Sequence, residues 1–220
     1  MKINLKNIAF TMAEMMMVMA IIGATAALTI PNLVDSYKEE QTIVKLKKAQ
    51  EDLNRAYKSM VNKYGEQETW NSAIFDSPWE NYKRNDRLTE FLKGTPIDLP
   101  GSNYYSEFEL DDGTILSINV QPTFIWVYVT TSGIKGNVDG KDTFLFINYR
   151  PSDVPSCPEG TNLNYPIGIF VPSGYCEDRN TDTNAFTGSG SSTSNWAVFN
   201  GNLDYLKCND LNWETKTTCD

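Results

Sequence analysis

An apolar run from Phe10 to Ile30, interrupted by a single charge at Glu14, restricts this chain more than any other feature. A helix of that length spans about 30 Å, the hydrocarbon thickness of a bilayer. Lys2 and Lys6 precede the run and no acid does, so the basic end is expected to stay cytoplasmic and the remainder to lie across the membrane. A carboxylate at membrane depth costs roughly 2.5 kcal/mol or more, which makes Glu14 a residue that needs a reason. A secretory signal peptide cut at Ala24-Thr25-Ala26, or a plain membrane anchor, accounts for the run and leaves Glu14 unexplained.

The stretch Ala9-Phe10-Thr11-Met12-Ala13-Glu14 resembles the prepilin peptidase site of the type IV pilin family, and the chain is read as similar to a type II secretion pseudopilin. In that family a short basic leader is cut before a Phe, the new amino group is methylated, and a Glu stands fifth in the mature chain. The resemblance implies cleavage between Ala9 and Phe10, N-methylation of Phe10 and an assembly role for Glu14. In a filament the Glu14 carboxylate would meet the free amine of a neighbouring copy's Phe10, neutralising two buried charges. Ala9 stands where the family usually has Gly. Pro31 falls inside the long helix, where these proteins commonly place a proline that kinks or locally melts it. The implied partners are a prepilin peptidase, other copies or related pilin-like subunits, and an inner-membrane assembly platform. The implied location is the bacterial inner membrane, with the globular part in the periplasm or outside the cell and the whole subunit in a filament after assembly. The resemblance is specific over about the first 35 residues and one of layout beyond them.

Past Pro31, Ile43, Leu46, Gln50, Leu53, Tyr57, Met60 and Tyr64 recur at intervals of three and four, the period of a helix with one apolar stripe. Gly65 is a natural stop. Ser77-Pro78-Trp79-Glu80 predicts the start of a second helix ending near Gly94. Four strands are then expected: one holding Phe108 and Leu110, a turn at Asp111-Asp112-Gly113, one from Ile115 to Val120, and two over Phe124 to Thr130 and Thr143 to Tyr149. The stretch from Asn180 to Asn195, nearly all small and polar, reads as an exposed loop, and Trp196 to Phe199 as a further short strand. The domain reading is a leader (1–9), a transmembrane or filament-core helix (10–30), its amphipathic continuation (31–65) and a globular domain (66–220). The fold class is α+β, a long N-terminal helix packed on a C-terminal antiparallel sheet, which is also the pilin-like fold that the resemblance implies.

The chain has no histidine, which removes the commonest general base, the usual zinc ligand and every Ser-His-Asp or Cys-His arrangement. Glu107 with Glu109 and Asp111 with Asp112 are the remaining acid pairs, and a strand and a turn account for them, so no enzyme is expected. The formal charge is −9 and becomes −11 once Lys2 and Lys6 leave with the leader. No basic stripe offsets it; Lys45, Lys47 and Lys48 are interleaved with acids on a helix face, so nucleic acid is not an expected partner.

Cys157, Cys176, Cys208 and Cys219 lie in the carboxy-terminal third, and an even count outside the cytoplasm points to disulfides. Sequence leaves three pairings open. Pairing Cys157 with Cys176 and Cys208 with Cys219 closes the shortest loops; a four-thiolate zinc site is the alternative, although no two cysteines have the usual close spacing. Gly136 to Asp142 resembles the loop after a hairpin in many pseudopilins, some of which bind calcium nearby. Asn137, Asp139 and Asp142 are the candidate oxygen ligands, and the turn itself explains the same residue types. No cofactor is expected apart from calcium at this loop.

The expected function is therefore a structural subunit of a type IV pilus-like or type II secretion pseudopilus filament. The alternatives are a secreted or membrane-anchored extracytoplasmic binding module, and an anchored carbohydrate-active enzyme.

Overall fold

Residues 11–66, 87–97, 106–121, 123–133, 140–157, 164–176, 190–213 and 215–219 are described by a computed structural model of the chain. The leader cleavage position, the predicted helix start at Ser77 and the loop residues Asn137 and Asp139 lie outside them. Helix α1 runs from Met12 to Tyr64 without a break. The chain divides into two units at Glu40 and Gln41, and α1 contributes to both.

In the first unit every residue from Thr11 to Glu40 whose burial is described is exposed, except Ala26 and Glu39, which are half-buried. In the second unit α1 presents the stripe expected from its periodicity. Ile43, Leu46, Leu53, Tyr57 and Met60 are buried, Ala49 and Ala56 fill the narrow positions between them, and Gln50 and Tyr64 are half-buried. Gly65 ends the helix at φ 84°, a left-handed conformation that costs glycine little, and its N–H reaches Val61 O at 2.8 Å.

The sheet is a six-stranded antiparallel meander in the order β1-β2-β3-β4-β5-β6, comprising Gly94–Ile97, Ser106–Leu110, Ile115–Val120, Phe124–Thr130, Thr143–Tyr149 and Val171–Pro172. The four strands expected from sequence are β2 to β5. The turn at Asp111-Asp112-Gly113 joins β2 to β3, with Gly113 at φ 77° and its N–H on Leu110 O at 2.9 Å. Ile125, Val127 and Val129 alternate along β4 with half-buried Phe124, Trp126 and Tyr128, and the buried set joins Phe108, Leu116, Ile118, Phe144 and Phe146 against the α1 stripe in one core.

Polar contacts fix this part of α1 on the sheet. Lys45 Nζ donates to Thr131 O at 3.0 Å and Lys48 Nζ pairs with Asp112 Oδ2 at 2.7 Å. Gln50 Nε2 donates to Phe170 O at 2.9 Å, while Phe170 N–H donates to Asn54 Oδ1 at 2.6 Å. Two of the lysines that the sequence interleaves with acids on a helix face therefore also bind the turns of the sheet.

Both edge strands are short, and each carries a proline. Leu110 N–H bonds Thr114 O, so even-numbered residues of β2 bond β3 and odd-numbered ones bond β1. Thr95 and Ile97 therefore face β2, and the missing N–H of Pro96 lies on the side away from β2. The same alternation holds at the other side. Ser173 N–H bonds Leu145 O, which turns Val171 and Ser173 to β5 and leaves Pro172 outward. Edges of two to four residues lacking a donor are poor templates for adding a foreign strand.

Two expectations fail in the carboxy-terminal region. Gly190–Asn200 is a helix, α2, rather than the end of an exposed loop followed by a strand. Thr193, Ser194, Asn195, Trp196 and Ala197 are buried. Small polar residues look solvent-loving in isolation, but here they close backbone bonds of other elements. Ser194 Oγ accepts the Leu145 N–H of β5 at 2.9 Å, and Asn195 Nδ2 donates to Gly174 O at 3.2 Å. Four consecutive apolar residues fit a strand or a buried helical turn equally, and packing decides between them. The part of the expected loop before Gly190 lies outside the described residues. Residues 87–89 are helical, and Gly94 opens β1 rather than merely ending a helix.

Candidate functional site

The amino-terminal part of α1 is the candidate site because the described residues of its unit leave its apolar side chains uncovered. Met12 is 84% exposed, Leu28 75% and Leu33 71%. Among the described residues α1 is the one helix long and apolar enough to cross a membrane.

Glu14 is not free. Thr11 precedes the first helical residue, and its N–H and Oγ1 both donate to Glu14 Oε2 at 2.8 Å; Glu14 N–H donates back to Thr11 Oγ1 at 3.2 Å. This is a capping box, in which the residue before the helix and the third residue inside it satisfy each other's backbone donors. The signal is present in the sequence as Thr11-Met12-Ala13-Glu14, a Thr followed three residues later by Glu. The cleavage motif overlaps it, and Thr11 is the site residue that the sequence reading missed.

The other threonine and serine hydroxyls in this part of α1 are satisfied by their own helix. Thr25 Oγ1 donates to Ile21 O at 3.0 Å, Thr29 Oγ1 to Thr25 O at 2.9 Å, and Ser36 Oγ to Leu33 O at 3.0 Å. Such back-bonding removes the need for water or a partner side chain. Pro31 lies within the helix, which continues through it, so the proline lacks the N–H that would reach Ala27 O. Ala9 and Phe10 lie outside the described residues.

The cysteines form two bonds, Cys157 with Cys176 at a Cα separation of 5.1 Å and Cys208 with Cys219 at 6.0 Å. These are the pairs that close the shortest loops, and four bonded sulfurs supply no thiolates for the zinc alternative. Of the calcium candidates only Asp142 is described. Its Oδ2 accepts the Ser132 hydroxyl at 3.0 Å and its backbone O accepts Thr131 N–H at 2.8 Å, so it closes the connection between β4 and β5. Among the described residues no three acids, histidines or cysteines are grouped to hold a metal.

One member of each acid pair has a structural partner. Glu107 is buried and accepts the Ser117 hydroxyl across the β2–β3 pair. Burial pushes the Asp112 carboxyl up, but the Lys48 ammonium and the Thr114 N–H outweigh it and hold it below the ordinary carboxylate range. Asp204 follows the same logic: burial raises it, and hydrogen bonds from Lys207 and the Cys219 N–H bring it below.

No family model, curated protein or solved structure matches this chain.

Proposed function

We propose that the chain is a structural subunit of a pilin-like filament, of the type II secretion pseudopilus or a related type IV pilus-like system, and that its role is assembly rather than catalysis. The observation that carries the reading is the exposed apolar part of α1, whose described hydroxyls and one carboxylate are bonded locally. A segment of this kind suits both stages of a filament subunit's life. In lipid it presents apolar side chains and no unsatisfied hydroxyl. In a bundle of copies it buries the same side chains against one another.

On this reading a prepilin peptidase cuts between Ala9 and Phe10, Phe10 is N-methylated, and the subunit waits in the inner membrane with its acidic domain in the periplasm. The assembly platform then moves it into the filament, where Glu14 exchanges its Thr11 contacts for the amine of a neighbour's Phe10. The blunted sheet edges support assembly through the helix rather than through strand addition.

A second reading has its own support. The capping box gives Glu14 a purely local task, which suits a membrane-anchored extracytoplasmic binding module just as well. Glu14→Gln separates the two. In the filament reading the variant inserts in the membrane at the parental level and loses most of its incorporation into sheared filaments, whereas equal incorporation of variant and parent would sink that reading. Amino-terminal sequencing adds an independent check: a start at N-methyl-Phe10 supports the filament subunit, a start near Ala27 a secreted module and an intact Met1 a plain anchor.

A further inference from the structure

The described residues from Asn209 to Cys219 form a clasp held by the Cys208–Cys219 bond and by hydrogen bonds to Asn202 and Asp204. Asn202 takes the Trp196 indole N–H on its Oδ1 at 2.8 Å and donates through Nδ2 to Thr217 O at 2.9 Å. Asp204 accepts the Cys219 N–H at 3.0 Å on one carboxylate oxygen and Lys207 Nζ at 2.9 Å on the other. The Trp213 ring lies 4.8 Å from that of Trp196, which is fully buried, so the clasp covers one side of the core. Between Asn209 and Cys219, Leu211 is the one buried residue among those described, and Asn209, Asp210, Thr215 and Thr218 are exposed. A segment anchored on the core by buried Leu211 and half-buried Trp213, with its other described residues exposed or half-buried, gains only part of its closure from burial. The rest must come from the covalent link and the few hydrogen bonds it aligns.

The two disulfides differ in how a reductant can reach them. In the first bond Cys157 is half-buried but Cys176 is fully buried, whereas Cys208 and Cys219 are both half-buried, so either sulfur of the second bond is open to attack. We propose that Cys208–Cys219 is a redox latch: a dithiol reductant opens it before Cys157–Cys176, and opening releases residues 209–219 from Asn202, Asp204 and Trp196 while the sheet and α1 stay folded. In the exchange a reductant thiolate attacks one sulfur and expels the other cysteine as thiolate. The reductant's second thiolate then attacks the reductant's own sulfur in that mixed disulfide and expels the remaining cysteine as thiolate, so two protons and two electrons leave the reductant, which becomes a disulfide, and both cysteines end as thiols. This proposal does not depend on the filament reading.

The test uses the full chain in detergent, titrated with dithiothreitol. Exposed thiols are alkylated and read by peptide mass spectrometry, and parallel samples receive a brief trypsin pulse. The latch requires Cys208 and Cys219 to label at a reductant concentration at least about tenfold below that for Cys157 and Cys176. In that window cleavage should rise at Lys207 and Lys216 and stay unchanged at Lys45 and Lys48. Simultaneous labelling of all four cysteines, labelling of the first pair before the second, or unchanged cleavage at Lys207 and Lys216 would each overturn it. A Cys208→Ser, Cys219→Ser variant gives the second arm: cleavage at Lys207 and Lys216 without reductant is expected, and parental resistance would defeat the latch.

Discussion

Met12 and Leu28 in the first part of α1 are 84% and 75% exposed, whereas Leu46 and Leu53 in the second part are 0% exposed, although the helix between them is continuous. The two parts differ in what surrounds them. From Gln41 onward the apolar stripe is narrow, polar residues fill the remaining faces, and a sheet covers the stripe. From Met12 to Ile30 the apolar residues occupy all faces, a pattern that no single sheet or helix can cover. An apolar side chain gains about 1.5–3 kcal/mol on full burial, so a run of exposed ones stores a large driving force for lipid or for further copies of the same helix. One stretch of the helix is thus a core element, and the other is an interface on the proposed reading.

The largest effect that tests this contrast is at Leu53. Leu53→Ala is expected to cost about 2–5 kcal/mol, since it leaves a cavity in a fully covered core, and to lower the melting temperature in detergent by roughly 5–15 °C. The matched change Ile22→Ala should leave the melt unchanged, because Ile22 is 60% exposed. Equal losses at the two positions would break the contrast. The next effect reverses the roles. Ile22→Lys places a charge within the apolar part at a cost of about 2.5–3.5 kcal/mol for insertion, so the protein should shift from the membrane pellet to the soluble fraction while its domain melts as before. Undiminished sedimentation with membranes would remove the case for a lipid stage.

The smallest effect concerns pH and belongs to the covered part alone. The Asp112 carboxyl is held below its usual value, so its contribution is present above the unfolded value of about 3.9 and is lost as pH falls through the lower, folded one. Stability should therefore decline on the acid side below about pH 4, and Lys48→Met should flatten that decline. The difference is expected to be no more than about 1 kcal/mol, because the Lys48 side chain is 49% exposed and solvent screens the pair. An unchanged acid limb in the variant would show that the contact between α1 and the β2–β3 turn does not contribute to stability.

Much of this architecture could be read from local pattern. The α1 stripe, its stop at Gly65, strands β2 to β5 and the turn at Gly113 all show in periods of 3.6 and 2 and in the placement of glycine. The capping box at Thr11 and Glu14 is equally visible, but a stronger motif overlaps it. Strands β1 and β6 are not visible, since four and two residues with a proline each carry no alternation to detect. Helix α2 is hidden for another reason. Its Ser194 and Asn195 are polar by type and buried by circumstance, and only the positions of Leu145 N–H and Gly174 O reveal why.

The sequence by itself determined which segments form the long helix, which are central strands, and that one helical stretch is long and apolar enough to cross a membrane. Those properties depend on neighbours a few residues away, and short-range spacing records them directly. Tertiary structure alone decided that Cys157 bonds Cys176 and Cys208 bonds Cys219, that small polar residues near Ser194 go inside, and that both sheet edges turn a proline outward. Each of these depends on a partner distant in the chain, and spacing along one strand of sequence carries no record of which distant groups will meet.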